Sequence, residues 1–254
     1  MINALVCGIC GKMGQNLVGL LKNDGEMQIV CGVDACADSV QNSELPPTYP
    51  SFNGVKEKVD VIIDFSSPAA LKDELLWAEK AGCPVVLATT GYTEGDLKII
   101  ENSAKKIAVF KTGNFSLGIN LLVKLVNKAA EALGEKFDVE IIERHHNLKV
   151  DAPSGTALML ADGVNQAYSG GKQYLYGREG AVGKRGNEIG IHAVRGGTIV
   201  GEHEVMFAGE DEVITLSHSA RSKKVFAVGA IKAAKWLCGK PAGKYDMNDV
   251  LENL

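Results

Sequence analysis

The sequence has no long apolar run and no excess of positive charge, and both absences narrow the possible functions. No run reaches the roughly 18 apolar residues that a transmembrane helix requires, so we expect no membrane segment. The 27 Lys and Arg residues are outnumbered by 31 Asp and Glu residues, giving a net charge of −4, so the overall charge does not favour nucleic acid as a partner. The start, MINALVCGICGKMG, has no basic region before its apolar residues, and we expect no secretory signal peptide.

Cysteine is sparse, with six residues scattered over the 254 of the chain. Most stand in apolar surroundings, which is typical of free thiols buried in a protein of the reducing cytoplasm. Cys7 and Cys10 form a C-x-x-C, but no second C-x-x-C pair accompanies them to complete a zinc site. Glycines interleave with these two cysteines, so we interpret them as part of a nucleotide-binding loop. We expect a cytoplasmic protein without a metal site.

What the sequence does contain at its start is a pattern typical of dinucleotide binding. Residues 2–7 predict a buried strand, GICGKMG (8–14) predicts a loop that opens a helix, and MQIVCGVD predicts a second strand that ends in Asp34. Glycines let the backbone approach a pyrophosphate at the helix N-terminus. Asp34 lies 20 residues after Gly14, where a carboxylate can bind both ribose hydroxyls. The glycine spacing departs from the strict G-x-G-x-x-G, and a nucleotide-free structural turn is the alternative.

Three further β-rich stretches, at 59–68, 83–91 and 107–118, each run into small polar residues. An amphipathic helix, ALKDELLWAEKAG, separates the first two. We therefore predict a Rossmann-like, doubly wound parallel sheet, in which ligands bind beyond the carboxyl ends of the strands. The polar residues expected at that edge are Asp34, Ser66, Thr89, Thr90 and Asn114.

The second half changes character and predicts a separate α+β domain with a mixed or antiparallel sheet. A long helix (117–133) leads to the strand FDVEIIERHH and the helix TALMLADGVNQAY. The Gly-rich and basic stretch 170–190 predicts a mobile or extended loop, and the segments that follow predict antiparallel strands with glycine turns. We predict a dinucleotide-binding domain at 1–116, a substrate-binding and oligomerisation domain at 117–226, and a C-terminal helix, about 227–254, that packs back on the first domain.

The segment ERHHNLKVDAPSGTA (143–157) concentrates ionisable groups ahead of a helix start. A metal site, a solvated polar loop and a catalytic site are the three possible interpretations. Adjacent histidines on a strand point to opposite faces, which disfavours joint binding of one ion by His145 and His146. No nearby cysteine completes a zinc site.

The residues that follow favour an anion-binding catalytic site over a solvated loop. Ser154 is placed to cap a helix, which puts the N–H groups of Gly155 and Thr156 at the positive end of its dipole, where a carboxylate binds. Lys149 adds positive charge, and the two histidines can exchange protons near neutral pH.

With these residues, the chain resembles the dihydrodipicolinate reductase family, which reduces 4-hydroxy-tetrahydrodipicolinate in lysine and diaminopimelate biosynthesis. The family's hallmark resembles the segment that runs from His145 to Ala157, and Glu140 and Glu143 lead into it. The resemblance covers essentially the whole chain, including Arg195-Gly196-Gly197 and the tail HSARSKKVFAVGAIKAAKWL. It implies His145 as a proton donor or acceptor and Lys149 as the proton donor. It implies that His146, Gly155 and Thr156 bind the substrate carboxylate. It also implies a cofactor site lined by Gly8, Ile9, Cys10, Gly11, Lys12, Met13, Asp34, Ala88, Thr89, Thr90, Thr112, Gly113, Asn114 and Phe115.

The resemblance further implies an NAD(P)H-dependent reduction of a small cyclic dicarboxylate by a homotetramer assembled through the second domain's sheet. Two positions depart from the family pattern. Lys12 stands where the family often has Arg, and Ala35 and Cys36 follow Asp34 where some members have an Arg. We therefore expect NADH to be preferred, with NADPH possible.

Two other classes of function compete with this interpretation. One is another reductase on the same architecture, such as a semialdehyde or homoserine dehydrogenase, and the other is a non-catalytic dinucleotide sensor. An acylating semialdehyde dehydrogenase would need a nucleophilic cysteine in the second domain, but the sequence has none between Cys83 and Cys238. A homoserine dehydrogenase would share the architecture. A non-catalytic dinucleotide sensor would keep the glycine loop but would not need Lys149 beside paired histidines and a helix N-terminus.

Overall fold

The computed structural model describes residues 1–37 and 45–252 and divides into two compact units. Unit 1 comprises residues 1–115 and 224–254, and unit 2 comprises residues 116–223. Residues 38–44 and 253–254, which fall within the predicted ranges 1–116 and 227–254, lie outside the described residues.

Unit 1 is built on a seven-stranded parallel sheet. Its strands are β1 (Ile2–Cys7), β2 (Met27–Val33), β3 (Thr48–Tyr49), β4 (Val61–Asp64), β5 (Val85–Leu87), β6 (Ala108–Lys111) and β12 (Gly243–Tyr245). Their order in the sheet is β12-β6-β5-β4-β1-β2-β3. Its helices are α1 (Lys12–Leu21), α2 (Leu71–Ala81), α3 (Glu94–Ser103), α6 (Lys224–Leu237) and α7 (Met247–Leu251).

The strands of unit 1 are apolar on both faces because helices cover both. In β1, Ala4, Leu5 and Val6 have no exposed surface, as expected for a strand buried within a parallel sheet. Helices α2 and α3 share one core with the face that carries Leu5, while α6 contacts α1 and the central strands β4 and β5. The prediction of a Rossmann-like, doubly wound sheet is confirmed.

The C-terminal segment of unit 1 is not the single helix predicted at about 227–254. Helix α6 ends at Leu237, and Gly239 adopts a left-handed φ of +81°, which suits a helix end. The chain then adds β12 beside β6. Lys235 anchors α6 through contacts of 2.8 Å with Asp24 and Glu26.

Unit 2 packs two helices, α4 (Leu117–Leu133) and α5 (Gly155–Ala167), on one face of a five-stranded mixed sheet. The strands of this sheet are β7 (Asp138–His145), β8 (Gln173–Tyr176), β9 (Glu188–Arg195), β10 (Gly201–Ala208) and β11 (Val213–Ala220). Their order in the sheet is β11-β10-β7-β9-β8. Alternation places Val139 and Ile141 of β7 and Val205 and Phe207 of β10 in the core.

Two predictions for this sheet need correction. The stretch 170–190 is not entirely loop, because residues 173–176 form β8, which pairs in parallel with β9. In the remainder of this stretch, Arg178 forms ion pairs with Glu140 and Glu188, and Arg185 forms one with Glu140. The segments after residue 190 are also not a simple antiparallel series: β9 runs parallel to β7, which separates it from β10.

None of the helices in the described part of the chain combines the length and the apolar character needed to cross a membrane.

Candidate active site

The parallel strands of unit 1 end in register, which assembles one edge of the sheet. Cys7 is paired with Val33 on one side and with Asp64 on the other. Leu87 is paired with Asp64 and with Lys111. The residues predicted to bind a cofactor follow these ends directly, so the sheet brings the glycine loop, Asp34 and the residues after β5 and β6 to one edge.

The glycine loop depends on its glycines. Gly8 has a φ of +73°, and a Cβ there would lie 2.6 Å from the carbonyl oxygen of Phe65. A Cβ at Gly14 would lie 2.4 Å from the carbonyl oxygen of Gly8. Gly11 is the N-cap of α1 and has no side chain with which to cap the first turn. The positively polarised start of α1 therefore remains suited to a phosphate group.

Asp34 lies at the wall of a cavity of about 480 Å³ beside this loop. One of its carboxylate oxygens accepts from the N–H of Cys10 and the other from the N–H of Cys36, each at 3.0 Å. Each oxygen keeps a second lone pair, so the carboxylate can still accept ribose hydroxyls. The cavity is lined by Cys7, Gly8, Gly11, Val33, Asp34, Ala35, Pro50, Ser51, Phe52, Phe65, Ser66, Ser67, Ala69, Ala70 and Asp73. The residues fit the adenosine half of a dinucleotide.

The other predicted cofactor residues differ in how far they are exposed to solvent. The side chains of Ile9 and Phe115 are buried in the core, where Phe115 packs against Phe65 and Phe110. Only the backbone of Ile9 and Phe115 is therefore placed to meet a cofactor. Thr89 is also buried. The remainder are at least partly exposed: Cys10, Lys12, Met13, Ala88, Thr90, Thr112, Gly113 and Asn114.

A second polar cluster lies beneath this edge. Cys7, Asp64 and Glu74 bring three potential metal-binding atoms within 4.8 Å of one another. Both carboxyl oxygens of Glu74 are buried without a hydrogen-bond partner among the described residues. Burial, together with the charge of Asp64, raises the pKa of Glu74 well above its ordinary value. We interpret Glu74 as a buried acid whose ionisation is opposed by its surroundings.

In unit 2, the fully buried carboxylate of Glu143 connects the predicted site residues. Its Oε2 lies 2.6 Å from Nδ1 of His145, and its Oε1 accepts from the N–H of Ser154 at 2.9 Å. Arg195 donates to both oxygens, at 2.7 and 2.8 Å. Burial opposes ionisation, but Arg195 and His145 outweigh it and hold the pKa of Glu143 below its ordinary value. One carboxylate thus joins the end of β7 to the start of α5.

His145 stands beside a second buried histidine. Its ring lies 5.1 Å from that of His203 at an interplanar angle of 74°. Nε2 of His203 lies 3.0 Å from Oγ of Ser154, which also accepts from the N–H of Ala157 and caps α5 as predicted. Burial and the nearby His145 lower the pKa of His203 to about 4, so His203 is neutral at neutral pH.

The loop between β7 and α5 carries Lys149 and His146. Nζ of Lys149 donates to both carboxylate oxygens of Asp151, at 2.8 and 2.9 Å, so its charge is partly offset. The N–H of Lys149 donates to the carbonyl of His146. His146 lies just beyond the strand, which ends at His145, so the expected alternation of the two histidines on a strand does not apply to it. Gly155 is exposed and Thr156 is half-buried in the first turn of α5.

Three residues that organise this site received no role from the sequence: Glu143, Arg195 and His203. A signal was present for Glu143. The alternation in DVEIIERH puts Glu143 on the same face as Val139, Ile141 and His145, and a carboxylate on a core-facing position needs a partner. Nothing in the sequence reveals that Arg195, 52 residues away, supplies it.

Comparisons with known proteins agree across both units. Residues 2–115 match the family described as Dihydrodipicolinate reductase, N-terminus, and residues 118–251 match Dihydrodipicolinate reductase, C-terminus. The chain is 50% identical over 253 residues to 4-hydroxy-tetrahydrodipicolinate reductase of Caldanaerobacter subterraneus, covering 99% of each chain. It is 42% identical to the enzyme of that name from Clostridium tetani, covering 100% of this chain and 98% of that one.

Solved structures give the same result. The dipicolinate-bound dihydrodipicolinate reductase of Paenisporosarcina sp. TG-14 matches with a TM-score of 0.80 and 28% identity, covering 98% of this chain and 99% of that chain. GenD2 from gentamicin A biosynthesis, in complex with NAD, matches with a TM-score of 0.59 and 14% identity over 94% of this chain and 87% of that chain, and shares the fold alone. The chain belongs to the dihydrodipicolinate reductase family.

Proposed function

We propose that the chain reduces 4-hydroxy-tetrahydrodipicolinate to tetrahydrodipicolinate, with loss of water and oxidation of NAD(P)H, in diaminopimelate and lysine biosynthesis. Membership of the family over both units supports this reaction. The observation that carries the proposal is the polar assembly of unit 2. There, one carboxylate holds both His145 and the start of α5, and Lys149 lies in the loop between them.

The substrate is a dicarboxylate, and the start of α5 suits one of its carboxylates. Gly155 and Thr156 occupy the positively polarised first turn, and Lys149 and His146 lie in the adjoining loop. The related structure with bound dipicolinate, a planar pyridine dicarboxylate, supports this class of ligand.

Loss of the 4-hydroxyl group with a proton from the adjacent ring carbon, as water, gives a conjugated imine. The nicotinamide cofactor, when bound, would supply the hydride that adds to the ring carbon from which the hydroxyl left. Electron density then moves towards the conjugated imine and carboxylate of the substrate, where the helix start and Lys149 stabilise the developing charge. A proton must reach the neighbouring carbon, and Lys149 or His145 delivers it. Asp151 keeps the ammonium group of Lys149 in place between turnovers.

NADH is the preferred cofactor in this proposal, and NADPH is a slower alternative. The lining of the cavity beside the glycine loop includes two acidic residues, Asp34 and Asp73, and neither Lys nor Arg. The sequence of residues 38–44, outside the described part, adds no Lys or Arg. A 2′-phosphate would therefore meet carboxylates without a cation to offset them.

We also propose a cytoplasmic homotetramer assembled through the sheet of unit 2. The face of this sheet opposite α4 and α5 carries partly exposed charged side chains, with Arg144 within 4.0 Å of Glu202 and 3.7 Å of Glu204. All six cysteines are free thiols, as is usual in a reducing compartment. Light scattering should give the mass of four chains, and a monomer would contradict this part of the proposal.

Steady-state oxidation of NADH with enzymatically generated 4-hydroxy-tetrahydrodipicolinate tests the reaction. We expect saturable turnover that dipicolinate inhibits competitively with the dicarboxylate. Turnover with aspartate semialdehyde instead would favour the semialdehyde or homoserine dehydrogenase alternative. Cofactor binding without turnover of either compound would favour a dinucleotide sensor.

A further inference from the structure

Glu143 and His145 are two residues apart on β7 and therefore project to the same face of the sheet. The side chain of Glu143 has no exposed surface, and that of His145 is 11% exposed. The carboxylate and the imidazole approach each other through Oε2 and Nδ1, at 2.6 Å.

The surroundings of Glu143 determine which nitrogen of His145 carries the proton. Arg195 donates two N–H groups to the carboxylate and Ser154 donates its backbone N–H. These donors keep the carboxylate ionised, and an ionised carboxylate can only accept hydrogen bonds. At 2.6 Å, Nδ1 of His145 must therefore be the fourth donor.

A proton on Nδ1 leaves Nε2 of a neutral His145 as the basic nitrogen. This nitrogen lies beside Gly201, where a Cβ would stand 3.1 Å from it. The neighbouring His203 contacts Ser154 rather than His145 through its Nε2, so it does not compete for the same proton.

We propose that Glu143 is a positioning residue that fixes the tautomer and the ring orientation of His145, so that Nε2 is the atom that exchanges the proton. This inference rests on the proposed function, in which His145 is a proton-exchanging group. Glu143 also fixes the start of α5 through Ser154, and it thereby couples the proton-exchanging atom to the carboxylate site.

Glu143→Gln tests this role with almost no change of shape. Arg195 donates to both oxygens, so either orientation of the amide opposes its NH₂ to one N–H of Arg195. The orientations differ at the Ser154 N–H, which cannot become an acceptor and therefore favours the amide oxygen in the place of Oε1. The amide NH₂ then faces Nδ1 of His145, which must give up its proton to accept. The imidazole consequently changes tautomer and carries its proton on Nε2, the wrong nitrogen for accepting one. A wrong tautomer of this kind lowers kcat by about two to four orders of magnitude.

The readout is the ¹⁵N spectrum of the protein labelled at its five histidines, with His145 assigned from His145→Gln. We expect Nδ1–H in the neutral wild type and Nε2–H in Glu143→Gln, with kcat falling far more than KM rises. Glu140→Gln is the matched control, because Glu140 lies on the same strand and also pairs with a histidine, His192, at 2.6 Å. It should leave the His145 signals unchanged.

Two results would overturn the inference. One is a proton on Nε2 of neutral His145 in the wild type. The other is a Glu143→Gln variant in which His145 keeps its proton on Nδ1 and kcat equals that of the wild type. The wild-type spectrum needs no variant, so the test stands even if Glu143→Gln folds poorly. If the dicarboxylate is not a substrate at all, the wild type shows no turnover, yet the tautomer is still measured. Failure of the proposed function and failure of this inference are therefore distinguishable.

Discussion

The preference for NADH can be estimated from the charges at the cavity wall. Asp34 lies where the adenosine ribose is expected, and a 2′-phosphate there would carry about two negative charges. Two unit charges about 6 Å apart in water-like surroundings repel by about 0.7 kcal/mol, so the phosphate should cost about 1.4 kcal/mol, or tenfold in kcat/KM. Ala35→Arg should narrow or reverse this ratio, because Ala35 is an exposed part of the wall and an arginine can pair with the phosphate.

The assay is kcat/KM for both cofactors in the wild type, in Ala35→Arg and in Ala35→Gln. The glutamine variant supplies a polar side chain without charge, so it separates the effect of charge from that of bulk. A wild-type preference for NADPH would refute the reasoning and would point to Lys12 as the phosphate partner. An identical cofactor ratio in the arginine and glutamine variants would refute the electrostatic explanation.

Three other perturbations follow from the geometry. Lys149→Ala should lower kcat by about two to four orders of magnitude in steady-state assays; a KM that rises much more than kcat falls would show that Lys149 only holds the carboxylate. Gly201→Ala puts a Cβ 3.1 Å from Nε2 of His145, so kcat should fall about ten- to hundredfold with an unchanged melting temperature. Normal turnover in this variant would contradict the proposed role of Nε2 in proton exchange. Folding raises the pKa of Glu74. Below the unfolded pKa of Glu74, the free energy of unfolding is therefore not reduced by its ionisation; it falls as pH rises through the folded pKa. In urea unfolding, Glu74→Leu should gain about 1–3 kcal/mol over the wild type at pH 8 and less at pH 5, and an equal gain at both pH values would contradict a titrating Glu74.

The sequence predicted most of unit 1 because its signals are local. An apolar run, glycines that tolerate close backbone contact and an acidic residue at a strand end all lie within residues 2–34. Unit 2 was harder to predict because its sheet depends on pairing between distant strands. The segment around Ile191 is equally apolar whether it pairs with β7 or with β10, so periodicity could not reveal the parallel pairing with β7.

The same difference applies to the sites. His145, Lys149 and the helix start at Ser154 stand in one contiguous segment, so their proximity followed from the sequence. The role of Glu143 depends on Arg195, which reaches it from β9, and no local pattern encodes that contact. Ile9 was placed among the cofactor residues by its position in the loop, whereas its side chain packs against Gly32 in the core.

The most direct test of the central claim is transfer of a deuterium label from [4,4-²H₂]NADH to the product. The wild type, incubated with labelled cofactor and 4-hydroxy-tetrahydrodipicolinate, should yield tetrahydrodipicolinate in which mass spectrometry finds one deuterium from the cofactor. Lys149→Ala should form this labelled product far more slowly. Unlabelled tetrahydrodipicolinate, or no consumption of the dicarboxylate by the wild type, would contradict the account.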